Sequence, residues 1–589
     1  MKNLLPHKYR PWLLTILFGI AVFLFWRLRY PFALTYQEQL QLFLFDSDYL
    51  AERMAEPGGF ARYVAEFLVQ FYNGVTIGAA IIALLYMLVQ RLTWRLIIIK
   101  NSALELCSLA TGGTQEFRIK RHYPLSFIPA IMLWFAMGDE SVMLTYVVAL
   151  AMALGVAIGW QRWTKGVAAW QKWVAALVLI PIVYWLIGPM VLLVAVLMLP
   201  WTLVVATLIY SLALMLLSAH WLPFPMMRVM LGISYYRFPV TMPYILMAIP
   251  LVILLLTWIG WKFHKVSEAN KQWVLVGELL GVAMAGLLIV PMGFDAKKYE
   301  LIEYDYFVRI QNWNGIIAKA EKQMPDLPMS VCATNLALAM TNQLGDRAFD
   351  FYQRSSEGLL PKFERNFATT QLTGEVYFFL GLINTAQRFA FEAMEAIPNY
   401  NKSARVVKRL AETNLINGQY KVAEKYLRML EKTIFYRPWA QRTIAMLGNE
   451  KAIDAHPLYG SLRQYRLQED FLFSDRELDK ICGLLFLHNQ QNQMAAQYLL
   501  MMPLLDRNIP LFMQYVQVVQ TRTPYNPRAV QEGIAFAFMQ QRQQPPKGVV
   551  SPYVLQQMNE FAQIYANDKS VAGLSRFRNT VWYYLTVGE

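Results

Sequence analysis

The chain is poor in charged residues and in cysteine. Only 16% of its 589 residues are charged and 56% are hydrophobic, whereas an average soluble protein is about 25% charged. This composition excludes a simple water-soluble enzyme. The three cysteines are widely separated without CxxC spacing, and there are six histidines. The sequence therefore predicts neither a disulfide framework nor a zinc site, and we interpret the cysteines as structural.

Long hydrophobic runs are absent after residue 293 but follow one another closely before it. A bilayer core requires about 20 apolar residues per helix. Most of the runs are that long, and they cover 11–26, 64–89, 124–137, 142–160, 174–187, 190–217, 241–260 and 273–292. The sequence thus predicts an all-α protein. We expect a polytopic transmembrane domain of about eight or nine spans over 1–293 and a soluble domain over 294–589.

The net charge of +14 is unevenly distributed, since residues 1–293 hold 21 Lys and Arg but only 12 Asp and Glu. Basic loops alternate with two acidic loops, 30–63 and 138–141. Because cytoplasmic loops carry the basic excess, we expect a cytoplasmic N-terminus and acidic loops on the far side of a bacterial inner membrane. Lipid phosphate is then the favoured anionic partner, and no nucleic-acid partner is predicted.

The side of the C-terminal domain depends on how often the chain crosses the membrane between 174 and 240. An even total of eight spans places the domain in the cytoplasm but puts Lys262, Lys265 and Lys271 outside, against the positive-inside rule. An odd number of crossings in this stretch keeps those lysines inside. We therefore expect the C-terminal domain to be periplasmic.

The second half of the chain reads as helix, short turn, helix. The run 410–427 resembles a tetratricopeptide (TPR) unit, in which the first helix ends at a Gly near a Tyr and the second opens with a small residue. Its segment Ala423-Glu-Lys-Tyr-Leu returns 72 residues later as Ala495-Ala-Gln-Tyr-Leu, which is two periods of 36 and close to the TPR period. The sequence predicts a TPR-like α-solenoid whose concave face binds a partner.

The first acidic loop is predicted to contain an amphipathic helix that lies on the membrane. Apolar side chains recur at helical spacing between Leu40 and Tyr49, as in interfacial helices. The acidic side chains that we expect at the water boundary are Glu38, Asp46 and Asp48. Glu66 follows near the start of the second predicted span. An ionisable residue there is a functional candidate, although Glu66 can equally cap a packed helix near the interface.

The second acidic loop is short and carries two adjacent carboxylates, Asp139 and Glu140. Together with the acids of the first loop they can converge on a divalent cation, because Mg²⁺ and Mn²⁺ prefer oxygen ligands. A metal ion held there can stabilise a departing phosphate. In the alternative interpretation, both acids cap the following helix and keep the turn outside the membrane.

An acidic first loop and a paired acidic motif between the third and fourth spans resemble the GT-C membrane glycosyltransferases, which include oligosaccharyltransferases. In that superfamily, loop carboxylates bind metal or activate the acceptor, and the donor is a sugar on a polyprenyl phosphate or pyrophosphate. The resemblance implies catalytic roles for the first-loop acids, Asp46, Asp48 or Glu38, with Glu66 as a further candidate. It implies that Asp139 and Glu140 hold the metal.

Some GT-C enzymes, such as the TPR-containing O-mannosyltransferases, have a similar two-part layout. This chain departs from many members in having fewer clear spans and no recognisable signature in its soluble half. As a whole it is also similar to a family of uncharacterised bacterial multi-pass membrane proteins.

A basic and aromatic stretch lies between residues 220 and 238. His220, Arg228 and Arg237 stand there among Trp and Tyr residues, and Arg neutralises phosphate well through bidentate contacts. If the stretch faces outward, it is the candidate site for the lipid-linked donor. If it faces the cytoplasm, these residues are ordinary positive-inside anchors.

Two functions remain open at this point. The favoured one is a GT-C-type enzyme for protein glycosylation or glycan assembly, which transfers a glycan from a polyprenyl carrier to a protein or glycan acceptor held by the TPR-like domain. The alternative is a membrane-anchored TPR scaffold for envelope assembly without catalytic activity.

Overall fold

The computed structural model describes residues 10–105, 123–198, 201–237, 244–262, 271–362, 364, 366–397, 401–469, 477–567 and 571–588. Some residues discussed above lie outside these ranges, namely the cysteine at position 107, residues 199–200 and 241–243 of two apolar runs, residue 238 and Lys265. Over the described ranges the regular structure is helical, with two isolated β-bridges. The all-α prediction is confirmed.

The chain divides into two compact units. The first comprises Met1–Tyr299 with two short later segments, Pro398–Asn401 and Lys432–Phe435. The second comprises Glu300–Ile397, Lys402–Glu431 and Tyr436–Glu589. Each unit has its own hydrophobic core.

The first unit contains helices α1 to α13, most of them strongly apolar. Their bounds are α1 Arg10–Leu24, α2 Pro31–Gln39, α3 Ser47–Met54, α4 Gly59–Val69, α5 Val75–Glu105, α6 Ile128–Ala136, α7 Leu144–Trp163, α8 Ala169–Ile187, α9 Val191–Leu197, α10 Trp201–Trp221, α11 Met226–Leu231, α12 Tyr244–Lys262 and α13 Lys271–Met292. A π-helical turn, Phe25–Arg29, extends α1. Short 3₁₀ turns cover Gln70–Asn73, Pro124–Phe127 and Gly188–Met190.

Five described helical segments are long and apolar enough to cross a membrane. They are Pro11–Arg29, Val75–Ile99, Leu144–Trp163, Ala169–Leu197 and Thr202–Trp221. A sixth is counted if α13 and the following helix form one broken span. Two shorter apolar helices, Pro124–Ala136 and Tyr244–Trp258, fall below the required length. The chain is therefore a membrane protein in which eight apolar runs are helical and five or six of them have the length of a span.

Two predicted spans have different limits in the structure. The run 64–89 is interrupted by the 3₁₀ turn Gln70–Asn73, after which Gly74 has an extended backbone. Its first part therefore belongs to α4, which is not one of the spanning segments. Between 174 and 217, α8 ends at Ile187, and Gly188 has a positive φ of 70°. After the 3₁₀ turn the chain is helical again in α9, which ends before Met198, whose backbone is extended.

The second unit contains most of α14 and all of α15 to α31. Their bounds are α14 Ala296–Arg309, α15 Trp313–Lys322, α16 Pro328–Met340, α17 Leu344–Arg347, α18 Phe367–Leu380, α19 Ile383–Glu395, α20 Ala404–Ile416, α21 Tyr420–Glu431, α22 Arg437–Ile444, α23 Glu450–Asp454, α24 Pro457–Tyr465, α25 Leu478–His488, α26 Gln493–Leu505, α27 Ile509–Gln520, α28 Arg528–Gln540, α29 Pro552–Asn567, α30 Val571–Leu574 and α31 Val581–Thr586. Two 3₁₀ turns cover Ala348–Asp350 and Ser575–Phe577.

Helix pairs occur where the TPR-like pattern places them. Helix α20 ends before Gly418, which has a φ of 76° that favours glycine. Helix α21 then packs against α20, with Ala423 fully buried. The recurring Ala495 is equally buried on α26, which packs against α25.

Hydrogen bonds also join helices of the second unit that are far apart in sequence. The Leu344 amide donates to Gln497, 153 residues away, and the Ser356 amide donates to Asp506, 150 residues away. The Arg528 amide donates to Asp346, 182 residues away. In a linear repeat array each repeat contacts only its neighbours, so this unit has connections that such an array lacks.

A buried ionic network ties three helices of the second unit together. Arg405 on α20 contacts Asp305 on α14 at 2.8 Å and Glu375 on α18 at 3.4 Å. Arg409, one turn further along α20, contacts Glu375 at 2.5 Å and Glu412 at 2.9 Å. Burial raises the pKa of Glu375, but the two arginines outweigh this effect, so that the pKa lies below its ordinary value.

Candidate functional site

The second acidic loop lies beside the basic and aromatic stretch. Val142 and Tyr236 form an antiparallel β-bridge, and the Arg237 amide donates to the Ser141 carbonyl at 2.7 Å. The Met143 amide donates to the Tyr235 carbonyl at 3.0 Å. These backbone bonds fix the register of two segments that are almost 100 residues apart. Sequence reasoning had named both segments but had not placed them together.

Both acids of this loop have partners. Asp139 accepts a hydrogen bond from the Ser141 amide at 2.8 Å, which closes the turn. Glu140 forms an ion pair of 2.5 Å with Lys298, whose side chain is half-exposed. The bond from Ser141 closes the turn that precedes α7, whereas the alternative interpretation had both acids cap that helix.

Arg237 is the most unusual residue of the site. Its side chain is 4% exposed, and its Nε has no hydrogen-bond partner among the described residues. Burial lowers the pKa of its guanidinium below the ordinary value, and the opposing influences come from Tyr36, Glu140 and Asp139. Arginine stays protonated in proteins. Arg237 is therefore a buried cation with the carboxylates of Glu140 and Asp139 within electrostatic reach.

Arg228 lies in the same stretch. It is buried on α11, with its guanidinium 5.0 Å from the centre of the Phe224 ring. Burial raises the pKa of Tyr236, and Arg228 opposes this rise, which places Arg228 within electrostatic reach of the bridge residue. His220 instead lies on the exposed last turn of α10, beside Trp221.

An apolar pocket of about 200 Å³ adjoins the bridge. Tyr235 and Tyr236 line one side of it, and residues of α7, α9, α11, α12 and the α8–α9 connection supply the rest. The Tyr235 hydroxyl donates to the Ile187 carbonyl and accepts from the Met190 amide, which fixes its ring. Arg237 follows Tyr236 in the chain but is not one of the residues that line the pocket.

The first acidic loop differs from its prediction in two respects. Glu38 is 1% exposed, so it does not face the water boundary as expected. Residues 41–46 are not helical, because their backbone groups have tertiary partners: the Gln41 carbonyl accepts from Gln70 and the Phe45 amide donates to the Lys432 carbonyl.

Asp46 and Asp48 lie at the start of α3. Asp46 forms an ion pair of 2.5 Å with Lys432, which belongs to one of the short segments of the first unit. This hydrogen bond holds the pKa of Asp46 below its ordinary value. Asp48 is exposed.

Glu66 is the centre of a buried cluster between α3 and α4. Its carboxylate accepts hydrogen bonds from Arg53 at 2.7 Å, from Arg62 at 2.9 Å and from the Tyr49 hydroxyl. Burial by itself raises the pKa of Glu66, but Arg62 and Arg53 outweigh it, so that the pKa lies below 4.5. Both arginines were missed in the sequence, although Arg62 and Glu66 have the spacing of a helical ion pair.

The predicted acids do not form a metal centre in the described part of the chain. No group of three or more His, Cys, Asp and Glu side chains there is arranged to hold a metal ion. What the site offers is a buried cation at Arg237, adjacent acids and an apolar pocket. These are complementary to a molecule with an anionic head and an apolar tail.

Comparison with known proteins assigns the chain to a family without giving it an activity. No curated protein and no solved structure matches it. A family profile matches residues 7–588, nearly the whole chain. The chain belongs to DUF6057, a family of unknown function.

Proposed function

We propose that this protein is a glycosyltransferase of GT-C type in a bacterial inner membrane. It transfers a glycan from a polyprenyl phosphate or pyrophosphate carrier to a protein or glycan acceptor at the periplasmic face. The N-terminus is cytoplasmic, the shorter apolar helices complete eight or nine crossings, and the helix pairs of the second unit act as a TPR-like surface that holds the acceptor.

The observation that carries the proposal is the buried guanidinium of Arg237. A buried donor without a hydrogen bond is costly, and the Nε–H of Arg237 has no partner among the described residues. An Arg–phosphate contact is a strong, charge-assisted interaction that satisfies such a group. The adjacent apolar pocket suits the first isoprene units of a lipid tail.

In the proposed reaction an acceptor atom forms a bond to the anomeric carbon while the bond from that carbon to the phosphate oxygen breaks. The phosphate leaves with the electron pair, and Arg237 stabilises the charge that develops on it. An acid of the two loops takes the proton of the acceptor. Glu140 and Asp139 are the candidates, since both lie within electrostatic reach of Arg237.

A divalent cation is not needed for these steps. Asp139 and Glu140 each already use one oxygen, for the Ser141 amide and for Lys298. Two carboxylates alone also supply few of the six oxygen ligands that Mg²⁺ requires. The described residues therefore do not fit a resident metal ion, and no step is assigned to one.

The test is binding of undecaprenyl phosphate to the purified full-length protein, measured by native mass spectrometry. We expect Arg237→Gln to weaken binding at least tenfold, since hydrogen bonds to a charged group contribute about 1.5–3 kcal/mol. Arg162→Gln, at an exposed arginine on the last turn of α7, is the matched control and should bind as the wild type does.

Undecaprenol, which has the tail without the phosphate, separates the two parts of the site. It should bind equally to the wild type and to Arg237→Gln. Equal affinity of both proteins for undecaprenyl phosphate would contradict the proposal. Full glycan transfer in cells by Asp139→Ala with Glu140→Ala would contradict the catalytic assignment.

One observation supports the alternative function, a scaffold: two of the loop acids form ion pairs with lysines. Asp46 and Glu140 are both neutralised by lysines, which is expected if these residues only stabilise the fold. A scaffold predicts that substitutions of the loop carboxylates are silent, whereas deletion of residues 300–589 abolishes function.

A further inference from the structure

A polar pocket of about 510 Å³ lies at the C-terminal end of the second unit. Helices α28, α29 and α31 and the segments that precede them form its walls. The side chains used below are Asp346, Asn526, Arg528, Gln531, Glu532, Ser551, Tyr553, Arg576 and Trp582. None of them belongs to the site proposed above.

Three of the four charged side chains used here form ion pairs, Arg528 with Glu532 and Arg576 with Glu560, and Asp346 accepts a backbone amide. Arg528 donates to Glu532 at 2.8 Å through its side chain and to Asp346 at 2.8 Å through its amide. Arg576 forms an ion pair of 3.2 Å with Glu560. Because two acids and two bases line the pocket and all four have partners, it does not select for a charged ligand.

The uncharged polar groups are held in fixed orientations. Asn526 donates to the Val549 carbonyl at 2.7 Å, and Gln531 donates to the Asn526 carbonyl at 3.0 Å. Gln531 also accepts from the Ser551 amide at 2.9 Å. Oriented amides and hydroxyls can exchange donors and acceptors with a ligand without further ordering.

One lining group has an unsatisfied donor. Trp582 is 1% exposed, and its indole Nε1 has no hydrogen-bond partner among the residues described. A buried indole N–H usually finds a partner. A ligand hydroxyl in the pocket would supply the missing acceptor after a small adjustment of the walls.

An aromatic ring stands at the rim. Tyr553, near the start of α29, is 70% exposed although it lines the pocket. The face of an aromatic ring carries partial negative charge, which attracts the axial C–H bonds of a sugar ring. A saccharide combines such an apolar face with a ring of hydroxyls.

We propose that this pocket binds a neutral saccharide of one or two sugar rings. The volume falls in the range of small-ligand sites, the charges cancel, and the pocket offers amides, an indole donor and an exposed ring. A peptide backbone also carries donors and acceptors, but it has no sugar-like C–H face to stack on the exposed ring of Tyr553. The inference goes beyond the proposed function, because it concerns a second site and binding without turnover.

The test uses the full chain in lipid nanodiscs, because detergents with sugar head groups would compete. Saturation-transfer NMR and calorimetry with maltose, cellobiose, lactose and N,N′-diacetylchitobiose should detect binding of at least one disaccharide. We expect Tyr553→Ala to weaken that binding at least fivefold and Trp582→Phe, which deletes only the indole N–H, at least threefold. Asn559→Ala, an exposed change on the same helix, should have no effect.

The proposal is overturned if none of the four disaccharides binds, or if Tyr553→Ala and Trp582→Phe both bind as the wild type does. Preferential binding of tetra-alanine amide over every disaccharide would also overturn it and would indicate a peptide site. Arg237→Gln should keep its saccharide binding, so failure of this inference and failure of the transferase proposal are distinguishable.

Discussion

Glu66 accepts hydrogen bonds from three side chains. These bonds decide whether its carboxylate has a structural or a catalytic role. Both of its oxygens are occupied, one by Arg62 and the other by Arg53 and Tyr49. An acid that takes a proton from a substrate must be within reach of that substrate, and Glu66 is only 1% exposed. We therefore interpret Glu66 as the residue that joins α3 to α4.

The Glu66→Gln substitution should destabilise the first unit strongly. It removes the buried anion that Arg53 and Arg62 share and leaves them only the more exposed Glu52 and Glu56. Removal of one partner from a buried ion pair costs about 3–5 kcal/mol. Thermal unfolding of the purified protein measures the effect as a lower midpoint. Glu52→Gln removes an exposed partner of the same Arg53 and should cost below about 1 kcal/mol. Equal midpoints for the two variants would refute this assignment.

The low pKa of Glu66 also predicts how the stability difference between the wild type and Glu66→Gln depends on pH. Because the folded pKa of Glu66 lies below 4.5, its stabilising effect is complete above that value and is lost as the pH falls through the folded pKa. The difference in midpoint between wild type and Glu66→Gln should therefore be constant from pH 7 to pH 5 and should shrink in more acidic buffer. A difference that grows on acidification would contradict the direction of the shift.

Single residues were predicted from the sequence only in part. Arg237 was identified because basic and aromatic residues cluster around it, but its burial depends on a β-bridge to a distant loop that no local pattern reveals. Glu38 was expected at the water boundary because acids are usually exposed. Its actual environment is set by tertiary packing.

At the scale of elements, the turn after α11 positions the candidate site. Gly232 has a φ of 105°, and a Cβ there would lie 2.3 Å from Cδ2 of Tyr235. Only glycine fits both the backbone and the ring, so this residue brings Tyr235 and Tyr236 to the pocket and Arg237 to the acidic loop. The pattern Leu-Gly-Ile between two helices is too short to show this in the sequence.

The Gly232→Ala substitution should lower the midpoint of thermal unfolding. Backbone strain of this kind costs about 1–3 kcal/mol, and displacement of Tyr235 adds to it. Gly155→Ala on α7 is the control, since a Cβ there meets no atom within 4 Å, and alanine favours helix. A Gly232→Ala protein as stable as Gly155→Ala would show that the Tyr235 ring can move freely.

Helices were predicted better than their limits. Apolar runs identified the membrane helices because lipid requires every backbone group to be bonded within its own helix. The break between α4 and α5 was missed, since the residues around Asn73-Gly74 are apolar enough to continue a run. The turn between α20 and α21 was predicted because it contains Gly418, whose positive φ favours glycine.

At the scale of the whole molecule, the proposed orientation can be tested by fusions at the C-terminus. Alkaline phosphatase requires the oxidising periplasm to form its disulfides, so a fusion after residue 589 should be active and a green fluorescent protein fusion at the same place should give the weaker signal. A matched fusion after residue 105, at the end of α5 and behind the basic residues Arg91, Arg95 and Lys100, should give the opposite result. An inactive phosphatase at residue 589 would place the second unit in the cytoplasm.

The long-range hydrogen bonds of the second unit determine when it can finish folding during synthesis. The hydrogen-bond partners of the Leu344 amide and the Asp346 carboxylate, Gln497 and Arg528, are synthesised 153 and 182 residues later. At about 5–20 residues per second, this delay is on the order of 10–40 s. The segment around α17 therefore lacks these two hydrogen bonds until Gln497 and Arg528 have left the ribosome.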